Sequence, residues 1–297
     1  MAEVSVIIPS YNHPQKIREC IRSVLAQNFS KTYEVIVVDS STEANQLALE
    51  QFCATDERIT LIKRTQQTFP GIARNIGVEA ATGKVLAMID SDCVAEKDWL
   101  ANIYANMTGG VILTGVVQNG TEDDVLGTCS YLVEFNHFLE PAQEKKEIHG
   151  AATCNFAIRK DEFERVGGFT GDRAFEDILF CEKFKSLGGK IMQVRSIRIS
   201  HVNKTELADI RANQQMLGRF SAIIRREQHM PPQLIFQYPV LAFLLVGFRY
   251  ASIFSRVVRD KHIVKFLLYT PIILYLIVHW SIGFYRGAKY GRQGSGH

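Results

Sequence analysis

Two acidic pairs are the residues best placed to do chemistry in this chain. Asp90-Ser91-Asp92 closes the apolar run KVLAMID (84–90), with its carboxylates at i and i+2. Carboxylates so spaced at a strand end can converge on one divalent cation. Hard oxygen ligands suit Mg²⁺ or Mn²⁺, which commonly bind one or two carboxylates together with substrate phosphates. Taken alone the tripeptide is weak, because Asp-x-Asp is frequent in surface turns. Glu176-Asp177 follows a Gly/Asp-rich loop and opens an amphipathic helix beginning Ile178-Leu179-Phe180-Cys181. Acids there are favoured by the helix macrodipole, so capping is sufficient to explain them. His201 ends the run KIMQVRSIRIS, where a lone histidine is more often structural than a ligand.

The elements that must hold these groups alternate between two periods. Val4–Pro9 and Glu34–Asp39 are nearly all apolar, as strands buried on both faces are. Arg58–Lys63 and Lys84–Asp90 continue the series. Between them Ile17, Cys20, Ile21, Val24 and Leu25 repeat at helical spacing after Pro14, and Glu43–Phe52 and Ile72–Ala81 read as further helices. The βαβα order implies an α/β fold with a mostly parallel sheet and helices on both faces. Ligands of such sheets bind beyond the carboxyl ends of the strands, where Ser10-Tyr11-Asn12, Asp39 and Asp90 fall. Beyond residue 110 the pattern loosens: strands are expected at Val111–Val117, Thr153–Arg159 and Lys190–Ser200, and helices at Asp161–Val166, Asp177–Leu187 and Lys204–Arg226.

The ordered series VSVIIPSYN (4–12), VIVVDSS (35–41), GIARNIG (71–77) and AATGKVLAMIDSD (80–92) resembles family 2 glycosyltransferases of the GT-A fold. Asn155 with Arg159, Val166-Gly167-Gly168-Phe169, Glu176-Asp177 and His201 extend the likeness to about residue 220. The resemblance implies a nucleotide-diphospho-sugar donor (UDP-, GDP- or dTDP-linked) held through a divalent cation, Mn²⁺ or Mg²⁺. It implies Pro9, Ser10, Tyr11, Asp39, Arg74 and Asp90 on the nucleotide-sugar side, with Tyr11 covering the base and Arg74 meeting diphosphate or base. Asp92 is the expected metal ligand, with Asp90 and His201 beside it. Asp177 is the expected general base of an inverting transfer to a hydroxyl, Glu176 orients the acceptor, and Asn155 and Arg159 line the acceptor side. Ser40 stands where many relatives carry a second acid, which leaves the nucleotide base open. Gln215, Arg219 and Phe220 match the Gln-x-x-Arg-Trp signature of processive synthases poorly. Transfer to a polyprenyl phosphate and a catalytically silent nucleotide-sugar-binding protein are the alternatives.

Composition narrows the setting. The 34 Lys and Arg against 31 Asp and Glu leave a net charge of +3, which argues against a nucleic-acid partner. Six scattered cysteines without a CxxC pair fit reduced thiols better than a zinc site or disulfide framework. Met1-Ala2-Glu3 meets the first strand with no basic leader, so the N-terminal part is expected in the cytoplasm. Two apolar runs follow Pro231-Pro232. Phe266–Phe284 is long enough to span a bilayer, whereas Leu234–Phe248 is borderline and re-entrant or interfacial. Arg249, Arg256, Arg259, Lys261 and Lys265 lie between them, and Arg286, Lys289 and Arg292 follow. Two shallow segments keep all these cations cytoplasmic, as the positive-inside tendency prefers. Buried core helices are the competing reading. The expected organisation is a catalytic domain over 1–226 and a membrane-associated helical segment over 227–297, on the cytoplasmic face. The expected acceptor is a lipid-linked saccharide or glycolipid in cell-surface polysaccharide synthesis.

Overall fold

The buried apolar runs become the middle of one mixed sheet. The computed structural model describes residues 2–258 and 260–294; Met1 and Arg259, both used above, lie outside them. In chain order the first elements are β1 (Val4–Ser10), α1 (Pro14–Leu25), β2 (Tyr33–Asp39), α2 (Glu43–Cys53), β3 (Ile59–Lys63), α3 (Pro70–Ala80) and β4 (Val85–Ile89). The short β5 (Cys93–Ala95) and α4 (Trp99–Asn106) precede β6 (Val111–Asn119) and α5 (Val125–Glu134). Next come β7 (Lys145–Glu147), β8 (Asn155–Arg159), α6 (Lys160–Val166), α7 (Glu176–Ser186) and β9 (Lys190–His201). The helices α8 (Leu207–Glu227), α9 (Gln233–Gln237), α10 (Leu245–Val257), α11 (Ile263–Leu268) and α12 (Thr270–Tyr290) complete the chain, with a 3₁₀ turn over Pro239–Leu244 ahead of α10.

The strand order is β3-β2-β1-β4-β8-β6-β9-β5, with β7 paired to β9. β1 to β4 run parallel, so the ends of β1, β2 and β4 share one edge, with Ser10 opposite Asp39 in register. β8 runs antiparallel to β4, with Ile89 opposite Asn155 and Val85 opposite Arg159. The fold is therefore the expected α/β class, with an antiparallel half added by strands of weaker pattern. One apolar core fills the space between the sheet and α3, α6 and α7, from Ile7, Ile36 and Met88 to Phe156, Phe163 and Phe180. The rings of Phe163, Phe169 and Phe180 pack at centroid distances of 4.8–5.3 Å.

The chain packs as two units, residues 1–118 with 140–202 and residues 119–139 with 203–297. The first holds the sheet. In the second, α12 lies so close to α8 that a Cβ on Gly283 would sit 2.0 Å from the Gln215 carbonyl oxygen. α8 thus packs with the C-terminal helices. The division at residue 226, drawn from composition, separates proposed roles rather than these units.

The two apolar runs exchange standing. Tyr269 divides Phe266–Phe284 between α11 and α12, and α12 buries Ile273, Leu276, Ile277, Trp280 and Phe284 in its own unit. Among the described residues, one helical stretch is long and apolar enough to cross a membrane, Pro239–Val257, and little of it is buried. Hydropathy does not distinguish an interior of protein from one of lipid, which is why the longer run drew the stronger expectation.

Candidate active site

At the carboxyl end of β4 the chain turns through Asp90-Ser91-Asp92, closed by the Cys93 amide donating to the Asp90 carbonyl at 3.0 Å. β5 then pairs with the end of β9, placing Cys93 opposite His201, while the Val202 amide donates to the Asp92 carbonyl at 2.8 Å. This pairing brings His201 Nε2 to 3.5 Å from Asp92 Oδ1, and both side chains retain some exposure. Two ligand atoms each about 2.1 Å from an ion sit roughly 3 Å apart at right angles, so the pair suits one divalent cation. Asp92, Cys93 and His201 offer ligand atoms within 4.8 Å of one another. Burial pushes the Cys93 thiol well above its ordinary value, and it faces the buried Cys154 thiol, so Cys93 stays protonated. The donors left are a carboxylate oxygen and an imidazole nitrogen, a set suited to Mn²⁺ or Mg²⁺ rather than to a thiolate-seeking metal.

Arg74 joins the two acidic pairs. It lies on the buried face of α3, its side chain only 2% exposed. One guanidinium nitrogen donates to Asp90 Oδ1 at 2.5 Å and the other to Glu176 Oε1 at 2.9 Å, across 102 residues of sequence. The group also lies 5.9 Å from the Phe169 ring centroid. Burial opposes the guanidinium charge, but the flanking Asp90 and Glu176 carboxylates outweigh it and hold Arg74 above its ordinary value. Arg74, expected at the diphosphate or base, is thus enclosed between two acids, and its Nε is buried without a hydrogen-bond partner.

Glu176 and Asp177 open α7 directly after Phe175, whose φ of 70° is a costly left-handed conformation for a bulky residue. Burial, relieved in part by Arg74, raises the Glu176 carboxyl. Burial and then the neighbouring Glu176 push Asp177 up to about 7. The Asp177 carboxylate also accepts the Ile178 amide at 2.8 Å. Gly71 makes the approach of this loop to α3 feasible: a Cβ there would lie 2.7 Å from the Thr170 carbonyl oxygen and 2.9 Å from Glu176 Cγ. Asn75 ties the same loop down, donating to the Phe169 carbonyl and accepting its amide, both at 2.9 Å.

The other expected residues divide. Pro9 and Ser10 are buried at the end of β1, and Tyr11 beyond them is exposed. Asp39 is buried, and its two oxygens accept the Ser41 amide at 3.1 Å and the Ser41 hydroxyl at 2.7 Å. It anchors the turn after β2 rather than opening toward a ligand. Ser40 accepts the Thr68 amide at 3.2 Å.

Two expectations are corrected. Asn155 does not line an acceptor side: it is wholly buried, accepting Trp99 Nε1 at 2.9 Å and donating to the Val116 carbonyl at 3.2 Å. Arg159 lies at the far end of β8, opposite Val85, and pairs with Asp161 at 2.9 Å. Four residue steps along the strand put it about 13 Å from the edge where Asp90 sits. Phe169, read from sequence only as part of a glycine turn, is the residue missed. An apolar side chain directly after two glycines, both at positive φ here, was its signal.

Several known proteins share this arrangement of elements or sequence. Glycosyltransferase AglE of Haloferax volcanii is 31% identical over 169 residues, 56% of this chain and 55% of that relative. The chain thus matches little more than half of that protein's length. Glucosyl-dolichyl phosphate glucuronosyltransferase of the same organism is 27% identical over 219 residues, 67% of this chain and 69% of the relative. Among solved structures, the mannosyltransferase PcManGT from Pyrobaculum calidifontis, in complex with GDP-Man and Mn²⁺, superposes with a TM-score of 0.65. That match has 21% identity and covers 97% of this chain and 85% of that one, a likeness of fold. The family model "Glycosyl transferase family 2" matches residues 5–167, more than half of the sequence and a span that includes Arg74, Asp90 and Asp92. On that match the chain belongs to glycosyl transferase family 2.

Proposed function

We propose that this enzyme moves one sugar, with inversion, from a nucleotide-diphospho-sugar to a hydroxyl of a lipid-linked saccharide or glycolipid. It would do so with a divalent cation at the cytoplasmic face of a membrane. The observation that carries the reading is the Arg74 bridge between Asp90 and Glu176. It draws a cation-binding turn and a helix-opening acid pair into one charged cluster, as a transfer between two substrates requires. A relative whose name specifies a glucosyl-dolichyl phosphate supports the acceptor class. The Mn²⁺ complex of a protein with the same fold supports the cation.

In this reading Asp92 and His201, with Asp90 beside them, hold the cation, whose charge offsets that developing on the leaving diphosphate. Tyr11, exposed beyond Pro9 and Ser10, covers the nucleobase. Arg74 is a positioning residue: it fixes Asp90 toward the donor and Glu176 toward the acceptor. Asp177 takes the proton of the attacking hydroxyl. A carboxyl near neutrality is suited to this, because it is ionised often enough to act and basic enough to accept a proton. With Asp177 acting as a base rather than as a nucleophile, the transfer in this reading is one displacement and therefore inverts. The family match ends before Glu176, so the base role rests on geometry.

The test is a panel of UDP-, GDP- and dTDP-sugars screened for thermal stabilisation with and without Mn²⁺ or Mg²⁺. A ligand of the folded state raises the midpoint by mass action. The proposal expects one donor class to do so, and only with the cation. No shift for any nucleotide-sugar would overturn it.

A further inference from the structure

The second unit carries a face of exposed apolar side chains that nothing in its own packing covers. Leu244 and Phe248, one helical turn apart, are 72% and 73% exposed; Val264 and Leu268, again one turn apart, are 71% and 70% exposed. The opposite sides of these segments are committed to protein, with Ile253, Val257 and Phe266 buried. An exposed patch of this kind marks a partner or membrane surface rather than ordinary solvent-facing sequence.

We propose that this face is a one-leaflet membrane anchor: α10 and α11 lie in the plane of an anionic lipid surface, and no segment of the unit crosses the bilayer. Two observations favour that over a span, although Pro239–Val257 is long enough for one. First, the guanidiniums of α10 turn into the protein. Arg249 stacks 4.4 Å over the Trp280 ring and donates to the Val133 carbonyl at 3.1 Å, while Arg256 donates to Asn136 Oδ1 at 3.1 Å. Crossing the bilayer would strip both from these partners. Secondly, α12 spends its apolar side chains on its own unit.

Charge selects lipid over a second copy of the chain. Over the whole unit, residues 119–139 with 203–297, 13 Lys or Arg stand against eight Asp or Glu, and Lys261 in the turn between α10 and α11 is exposed. Two such faces would repel each other, whereas anionic headgroups attract a cationic, apolar surface. The inference rests on the membrane-associated reading above, but its test uses neither donor nor acceptor, so its failure leaves the transferase reading intact.

The full chain is mixed with phosphatidylcholine vesicles with and without phosphatidylglycerol, and bound protein is separated by flotation. Binding should be at least tenfold stronger to the anionic vesicles and should fall with added salt. Leu244→Asn with Phe248→Ser should lower it at least tenfold while the unfolding midpoint stays unchanged, because both side chains are already in solvent. All six native cysteines are buried, so a cysteine introduced by Tyr238→Cys or Lys261→Cys is the one an impermeant maleimide reaches. In sealed membrane vesicles from cells expressing each variant, both sites should label from the same side. Labelling from opposite sides would establish a span and overturn the proposal. A concentration-dependent dimer that buries Leu244 and Phe248 and binds no vesicle would overturn it in favour of a second copy.

Discussion

Replacing Arg74 with methionine removes the guanidinium and leaves its two acids behind. Glu176 has 8% of its side chain exposed and cannot rehydrate in place, so it becomes a buried charge without a partner. Breaking such a pair costs about 3–5 kcal/mol. Asp90, 32% exposed, can turn to water and adds at most about 1 kcal/mol. With each kcal/mol worth about 2–4 °C in a chain of this size, the midpoint should fall by on the order of 10 °C. The loss should deepen with rising pH, because the orphaned Glu176 escapes its penalty only by holding a proton. Adding Glu176→Gln to Arg74→Met should then recover part of the loss, as coupled neighbours do. Arg74→Lys should behave more like methionine than like arginine, since one ammonium replaces two donors aimed at separate acids. The assay is thermal unfolding by circular dichroism across pH for these three variants, Glu176→Gln alone and the parent. An Arg74→Met midpoint within about 2 °C of the parent, or additive losses in the double variant, would refute the bridge as the joint of this site.

The raised carboxyl of Asp177 gives a pH signature with a definite sign. The folded chain holds a proton there up to about 7, whereas the unfolded chain releases it near 4, so stability should fall as pH rises through that window. Transfer should rise across the upper part of the same window as the base ionises, and Asp177→Asn should flatten the stability profile; a parent enzyme with flat profiles would contradict the assignment. Gly71→Ala forces a methyl against the Thr170 carbonyl and Glu176 Cγ, costing about 1–3 kcal/mol, and should lower kcat more than it raises the donor KM. Asn155→Ala should cost about 2–4 kcal/mol by unpairing Trp99 Nε1 and the Val116 carbonyl, visible as a lower urea midpoint. Arg159→Ala should leave stability within about 0.5 kcal/mol and the acceptor KM unchanged, where an acceptor-lining role would raise that KM.

What could be read beforehand follows from which signals are local. Strands buried on both faces must be apolar throughout, so Val4–Ser10, Tyr33–Asp39 and Val85–Ile89 stood out within a residue or two of their ends. Their shared edge placed Asp90 and Asp92 at once, because parallel strands bring their carboxyl ends together. The partners of Arg74 were not legible. Sequence shows an arginine beside a glycine at a helix start, but which acids meet it is set by packing across the whole sheet. Asn155 misled for the same reason: a polar residue at a strand start looks ligand-facing until Trp99 and Val116 are found around it. Arg159 was misplaced because the direction of β8 was not known, and reversing it moves that end of the strand to the opposite edge. In the C-terminal helices the overlooked clue was small residues, Gly218 on α8 against Gly283 and Gly287 on α12, which mark helices that meet closely.

The most direct test of the account is a single variant read in two ways. Asp177→Asn removes the proposed base and leaves the carboxylate-imidazole pair of Asp92 and His201 in place. Cation-dependent thermal stabilisation by the nucleotide-sugar should persist, while transfer should drop by about 10²–10⁴-fold, the range that a positioned base contributes. Transfer at near-parental rate with donor binding intact would contradict base catalysis by Asp177. It would point instead to an acceptor that arrives already ionised, such as a phosphate.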